Sequence, residues 1–368
     1  MLATTSSSVF AAGVYDLTDP DYLARAADMA TQGRIQEACL PANAPPPDAG
    51  FKSIAEPSAE LIAAAEGEGQ LVINSGIGDE TSISSYKAAF EARFPKITVT
   101  AVSGSSATFE ARFLGDHANG NQSADAAITS HPEWVADGYK QGALVPLDQT
   151  IPDIFEAWPQ GSWVWEVEGG ATAVAFYRSL GIGYNSDLVP DGLEPEQWAD
   201  LARPEFKGQL IAVDPAATLA FARVYKHMLD VVGEDTFRAI GENMIKNPLY
   251  ADIQPASQAL GAGAGMVIIE LGANVGAALK RDGAPVEVVM PDSTTGTQYA
   301  FGVASAAPHP SAAKLFANWL YSAEGQWVLS CAAFSGSAAY SNFGSETFVP
   351  IEEVSDEEIA HMKDLLGL

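Results

Sequence analysis

The feature that most constrains the fold is a regular alternation of short apolar runs with amphipathic segments along most of a 368-residue chain. Residues 81–94 place Ile83, Tyr86 and Phe90 three and four positions apart, which is the spacing of one helix face. Residues 97–102 then alternate β-branched side chains, a pattern typical of a strand. Because repeated strand–helix units build parallel sheets, the sequence predicts an α/β fold, with mainly parallel sheets flanked by helices.

An interruption of this alternation predicts two lobes. Residues 151–170 are irregular and contain three tryptophans, and strand-like runs resume at 171–177 and 180–185. Crossings of the chain near 147–175 and 290–300 predict a two-strand hinge between the lobes. The predicted division is an N-terminal extension with a Pro-rich linker (1–55), a first lobe (56–150 and 296–345), a second lobe (151–295) and an acidic helical C-terminal tail (346–368).

Ligands of parallel sheets bind at the carboxyl ends of the strands, which selects the loops at 75–80, 103–106 and 129–131 of the first lobe. Hydroxyls and unpaired backbone N–H groups at helix starts can hold the oxygen atoms of a ligand. Serine residues at such positions are also ordinary helix caps, and both interpretations stay open here. The candidate binding residues of this lobe are Gly76, Ile77, Gly78, Asp79, Ser105, Ser106 and Ser130.

The second lobe offers fewer polar candidates. Glu270 is expected to end a buried strand at residues 266–269, so its carboxylate must be paired or must face a ligand. Arg178 could clamp a carboxylate or phosphate, and aromatic rings near the crossings could stack on a ring or a cation instead of packing in the core. The candidates from this lobe and the crossings are Trp163, Tyr177, Arg178, Thr218, Glu270 and Tyr299.

The charge balance limits the class of partner. Lys and Arg number 19 against 47 Asp and Glu, which gives a net charge of −28. Such a field repels nucleic-acid phosphates and anionic lipid surfaces, so nucleic-acid and membrane-surface partners are not expected. Because 47% of the residues are apolar and only 18% are charged, the chain is expected to fold. We expect a monomer whose partner is a small solute.

Neither metal binding nor catalysis has a motif in the sequence. Cys39 and Cys331 lie in no C-x-x-C pair, so they are either one disulfide in an exported chain or two buried thiols. The five histidines are scattered, and no G-x-S-x-G, H-E-x-x-H or P-loop pattern occurs. The prediction is therefore a binding protein without cofactor or metal, and not an enzyme. Residues 9–11 have the small-x-small character of a signal-peptide cleavage region.

Four runs of the chain resemble the substrate-binding proteins of bacterial ABC importers. They are residues 60–76, 183–190, 198–208 and 307–326, and the similarity extends over about residues 55–345. The resemblance is to the branch that contains ferric-ion, thiamine, phosphonate and sugar-phosphate binders. It implies a two-lobe type II periplasmic-binding-protein fold, a periplasmic location after export, closure of the lobes around a solute, and delivery of that solute to a membrane permease.

The resemblance also bears on the solute. Ferric-binding members of the branch carry two adjacent tyrosines after the strand that matches residues 266–269, whereas this chain has Glu270 and Leu271 there. A small polar organic solute is therefore favoured, with phosphonate, phosphate-ester or carboxylate anions ahead of ferric iron; the acidic charge balance itself favours a neutral or cationic solute. The alternatives are a ferric site built from Asp79 and Glu270, or an enzyme on the same fold.

Overall fold

The computed structural model describes residues 13–77, 80–159, 164–167, 170–341, 347–350 and 354–368. The candidate residues Gly78, Asp79 and Trp163, and the small-residue pattern at 9–11, lie outside these ranges. In the described part of the chain, no helix has both the length and the apolar character needed to cross a membrane.

The helices are numbered in chain order. They are α1 (Pro20–Thr31), α2 (Ala59–Glu68), α3 (Glu80–Arg93), α4 (Ser106–Ala118), α5 (Pro132–Lys140), α6 (Leu147–Thr150), α7 (Ile154–Ala157), α8 (Leu219–Asn243), α9 (Ile253–Gly261), α10 (Ala273–Arg281), α11 (Pro310–Leu320), α12 (Ala323–Ala333) and α13 (Asp356–Leu366). Helix α8 is kinked at Gly233, where φ is 75°.

The strands are β1 (Gln70–Ser75), β2 (Thr98–Ser103), β3 (Ala126–Thr129), β4 (Leu144–Val145), β5 (Val164–Val167), β6 (Gly170–Asn185), β7 (Leu210–Ile211), β8 (Val267–Gly272), β9 (Val286–Val289), β10 (Ser293–Thr294), β11 (Gly296–Ala304) and β12 (Thr347–Phe348). The two strand-like runs predicted at 171–177 and 180–185 are therefore one continuous strand, β6. A 3₁₀ helix follows at Trp198–Ala202.

The chain divides into two compact units. Unit 1 contains the described residues up to Phe176, together with Tyr299–Ala332 and Ser337–Tyr340, and unit 2 contains the remainder. Strands β6 and β11 each continue from one unit into the other, and the chain also passes between the units close to residues 333–341. The predicted α/β fold class is confirmed.

In unit 1, β1 lies between β2 and β3 in a parallel arrangement, and β11 pairs antiparallel with β3. Local signals set the first helix: the Ser58 hydroxyl caps α2, and Gly69 ends it with φ 69°. The carboxylate of Glu68 then accepts hydrogen bonds from the backbone N–H groups of Ser311 (3.1 Å) and Ala312 (2.8 Å) at the start of α11. The end of one helix thus caps the beginning of another.

The described N-terminal segment, from residue 13, belongs to unit 1. Cys39 and Cys331 form a disulfide, which decides between the two alternatives for these cysteines. The buried Glu324 carboxylate accepts hydrogen bonds from the Tyr22 hydroxyl (2.7 Å) and from Arg93 Nε (2.9 Å). The Arg93 guanidinium also lies 3.4 Å from the centre of the Tyr22 ring. A buried ion pair and a covalent bond therefore fix this segment.

Unit 2 contains the strand order β9–β6–β8–β7, in which β7 and β8 are parallel and β6 is antiparallel to both of its neighbours. Its core joins Trp198, Phe206 and Tyr225 to residues of α13. The predicted C-terminal tail is thus a helix that packs on α8 and contributes Met362 and Leu366 to the core.

Candidate functional site

Three segments of unit 1 meet where the parallel strands end. Gly76 follows β1, and its N–H donates to the carbonyl of Ile128 in β3 (2.8 Å). Ser106 begins α4, and its Oγ accepts from the N–H of Ser130 (3.1 Å) and lies 3.0 Å from the Ser130 hydroxyl. The carboxyl ends of β1 and β3 therefore bring together three of the predicted residues. We refer to Gly76, Ser106 and Ser130 as the serine cluster.

Close approach of the backbone explains the glycine of the serine cluster. A Cβ atom at Gly76 would lie 2.2 Å from Ser106 Oγ and 3.1 Å from the carbonyl oxygen of Ile128. Only a residue without a side chain leaves Ser106 in its present position. Ser130 and Gly76 are half-buried and Ser106 is buried, so the serine cluster packs hydroxyl groups directly against the backbone of Gly76.

The other described candidates beside the serine cluster have different surroundings. Ser105 is the exposed N-cap residue of α4, and its hydroxyl lies 2.6 Å from Thr108 Oγ1 without capping a backbone N–H. Ile77 is 3% exposed and belongs to the core of the unit.

A carboxylate–histidine pair that the sequence analysis did not single out lies directly next to the serine cluster. Nδ1 of His131 is 3.1 and 3.0 Å from the two carboxylate oxygens of Glu110. The Thr129 hydroxyl donates to the same carboxylate and accepts from the backbone N–H of His131 (3.0 Å). Helical spacing is the sequence signal that could have identified Glu110, because this residue is four positions after Ser106 and so lies on the same face of α4.

In unit 2, the structure places Glu270 inside β8 and not after its end, because the strand continues to Gly272. The side chain is completely buried. Neither carboxylate oxygen has a hydrogen-bond partner among the described residues. Burial raises the pKa of this carboxyl well above its ordinary value. Such a residue requires an explanation, because unpaired buried carboxylates are costly.

Three of the remaining predicted residues are engaged in packing or capping. The Tyr177 ring stacks on Phe348 with centroids 4.0 Å apart, and the Tyr299 ring stacks on Phe176 at 4.5 Å. The hydroxyl of Thr218 caps α8 by accepting from a backbone N–H. Arg178 lies half-buried in β6. The proposed contact of these residues with a solute stays a prediction.

The described residues contain no group of three or more His, Cys, Asp or Glu side chains placed to hold a metal ion. The chemistry that the serine cluster offers is hydrogen bonding to oxygen atoms. The chemistry that Glu270 offers is that of a single buried carboxyl group.

Comparison with known families decides the class of protein. Residues 77–327, more than half of the chain, match the family model described as bacterial extracellular solute-binding protein. The chain belongs to this family. No curated protein sequence matches it.

Solved structures of solute-binding proteins have a similar fold. The substrate-binding protein of an ABC transporter from Agrobacterium tumefaciens aligns with a TM-score of 0.60 and 15% identity, over 81% of this chain and 94% of its own. A Trichodesmium protein in complex with iron and citrate aligns at 0.59 with 18% identity, over 81% and 99%. Iron-bound HitA from Pseudomonas aeruginosa aligns at 0.56 with 16% identity, over 81% and 98%. At these identities the similarity establishes the fold.

Proposed function

We propose that this solute-binding protein is the substrate-binding component of an ABC importer, which captures a small polar organic solute and delivers it to a membrane permease. The observation that carries the proposal is the serine cluster at the carboxyl ends of β1 and β3, in a chain of the extracellular solute-binding family. Hydroxyl groups at the carboxyl ends of parallel strands suit the oxygen atoms of an organic solute.

The disulfide supports a location outside the cytoplasm, in the periplasm. Disulfides persist in oxidising compartments and are rare in the cytosol. Cys39 and Cys331 are both buried and joined to each other. The negative charge of the chain, −28, favours a freely diffusing monomer over one that adheres to anionic lipid.

The first experiment identifies the solute. Native mass spectrometry of the protein as purified should show a monomer with a retained small molecule, and that molecule should raise the melting temperature. A ligand at 100 times its Kd stabilises the folded state by about 2.7 kcal/mol. Ferric citrate is included as a separate arm, and stabilisation by it alone would favour the ferric alternative.

The second experiment tests the serine cluster itself. The Ser106→Ala/Ser130→Ala variant should bind the retained solute at least tenfold more weakly, since hydroxyl hydrogen bonds contribute roughly 1 kcal/mol each. Ser53→Ala, an exposed serine of the same unit, is the matched control. Unchanged affinity in the double variant would remove the serine cluster from the binding site. The absence of any bound or stabilising solute would count against the proposed function as a whole.

A further inference from the structure

Glu270 of unit 2 is a buried carboxyl group without a hydrogen-bond partner among the described residues. Its side chain is 0% exposed and both carboxylate oxygens lack a hydrogen-bond partner within the described ranges. Other buried acids of the chain are fully engaged: Asp125, for example, accepts from the N–H groups of Val72 (2.7 Å) and His309 (2.6 Å). A buried carboxyl without any donor is an exception that the folded protein alone does not explain.

The backbone conformation at Glu270 follows from an irregularity in the pairing of β8 with β6. In the pairing of β8 with β6, Ile182 lies opposite Ile269 and Gly181 lies opposite Leu271, so Glu270 is the extra residue of a bulge. Its φ is 72°, in the left-handed region that costs a non-glycine residue roughly 1 kcal/mol or more. Bulges redirect a side chain away from the regular alternation of a strand.

Glu270 also lies at the edge of unit 2 where ligands bind to α/β sheets. Strands β7 and β8 are parallel, with Leu210 opposite Val267 and Ile211 opposite Ile268. Glu270 lies two residues before the carboxyl end of β8, and α10 begins three residues after it. This is the edge at which parallel strands present their ligands.

The charged and titratable groups around Glu270 are few. The buried Tyr225 of α8 donates its hydroxyl hydrogen to the carbonyl of Val213 (3.0 Å). The pKa of Tyr225 is raised mainly by burial, and further by the negative charges of Glu270 and then Asp214. Asp214, at the end of β7, is bonded to Lys363 of α13 at 2.9 Å. The facing residues of β6, all of α9 and the first turn of α10 carry no titratable group. No described positive charge therefore offsets the burial of Glu270.

These surroundings favour the neutral, protonated form of the side chain. An ionised carboxylate in such a site has neither a donor nor a counter-charge to stabilise it. A positively charged group placed against it would reverse that preference, because opposite charges attract strongly where water is excluded. The overall charge of −28 also draws cations toward the protein.

We propose that Glu270 contacts a positively charged nitrogen group of the solute, an ammonium or guanidinium, and that its proton passes to the buffer when the solute binds. The inference rests on the proposed function and adds to it the chemical class of the solute. The step balances, since the neutral acid loses one proton and the resulting carboxylate pairs with a cation whose own charge is unchanged.

The test uses the full chain and probes of known charge. Choline, arginine and putrescine represent nitrogen cations, glucose is a neutral probe, and inorganic phosphate and citrate are anions. A thermal-shift screen should find stabilisation by at least one of the three cations. Calorimetry of that probe in two buffers with different ionisation enthalpies should then show release of about one proton for each solute bound. Because choline does not titrate, its affinity should rise with pH by up to tenfold per unit, for as long as the pH stays below the raised pKa of Glu270.

The variants separate contact from structure. Glu270→Gln should keep the fold, weaken binding of the cation by roughly 10- to 100-fold and abolish proton release. Glu205→Gln, an exposed glutamate of unit 2, should behave as the unchanged protein. The infrared carbonyl band of a protonated carboxyl, present in the unliganded protein and absent in Glu270→Gln, gives a readout that needs no solute.

Several results would overturn the inference. Binding of only neutral or anionic probes, cation binding without proton release, or equal affinity in Glu270→Gln would each contradict it. Absence of stabilisation by all three cations would do the same. In each case, a solute retained in native mass spectrometry would still support the proposed function. If no solute is retained and no probe stabilises the protein, the proposed function is contradicted as well.

Discussion

The buried acid of β8 predicts a specific dependence of stability on pH. Because burial raises the native pKa of Glu270 above the ordinary value of 4.5, the folded state holds this proton at a pH where the unfolded state has lost it. The contribution of Glu270 to stability is therefore fully present below pH 4.5 and is lost as the pH rises toward the native pKa. The slope is about 1.4 kcal/mol per pH unit for one group.

The Glu270→Gln variant removes this term and leaves the remaining acids unchanged. Between pH 5.5 and 7.5 the unmodified protein should lose roughly 2.7 kcal/mol relative to the variant, for as long as the pH stays below the raised native pKa. The measurement is urea unfolding at several pH values, followed by hydrogen exchange of peptides from α8 and β8 so that unit 2 is observed by itself. Glu205→Gln should follow the unmodified protein. A constant difference between the protein and Glu270→Gln across this range would show that the folded state does not retain the Glu270 proton above pH 5.5.

Three further perturbations test other parts of the structure. Reduction of the Cys39–Cys331 disulfide should lower the unfolding free energy of unit 1 by about 2–5 kcal/mol, and equal urea midpoints with and without reductant would contradict this. Arg93→Met leaves the Glu324 carboxylate buried without its counter-charge and should lower the unfolding free energy by about 3–5 kcal/mol in the same assay. Adding Glu324→Gln to this variant should recover part of the loss. If the losses of the two single variants simply add in the double variant, Arg93 and Glu324 are not coupled. Gly76→Ala places a methyl group 2.2 Å from Ser106 Oγ. The variant should bind the retained solute at least tenfold more weakly by calorimetry, while its circular dichroism spectrum stays unchanged. Unaltered binding would show that Gly76 is not part of the binding site.

The first lobe could be predicted from the sequence because its signals are local. Ser58 and Gly69 mark the ends of α2, and the helical spacing of apolar residues in 81–94 corresponds closely to α3, Glu80–Arg93. The convergence of Ser106 and Ser130 follows from a general property of parallel sheets and needs no knowledge of the solute.

The rest depends on contacts between distant parts of the chain. The bulge at Glu270 arises from pairing with Gly181 and Ile182, almost ninety positions earlier, so the sequence around β8 gives no sign of it. Tyr177 and Tyr299 have the same appearance in a sequence whether their rings meet a solute or, as here, Phe348 and Phe176. Side-chain type suggests chemistry, but only packing shows whether that chemistry is available.

The N-terminal segment has a consequence for the order in which the protein is assembled. Its anchors are residues close to the other end of the chain: Cys39 is bonded to Cys331, Tyr22 binds Glu324, and the N–H of Asp48 donates to Ala339 (2.8 Å). During synthesis the segment is made before these partners, and none of its anchors exists until residues 324–339 have been added. The segment is therefore synthesised well before it can reach its final position.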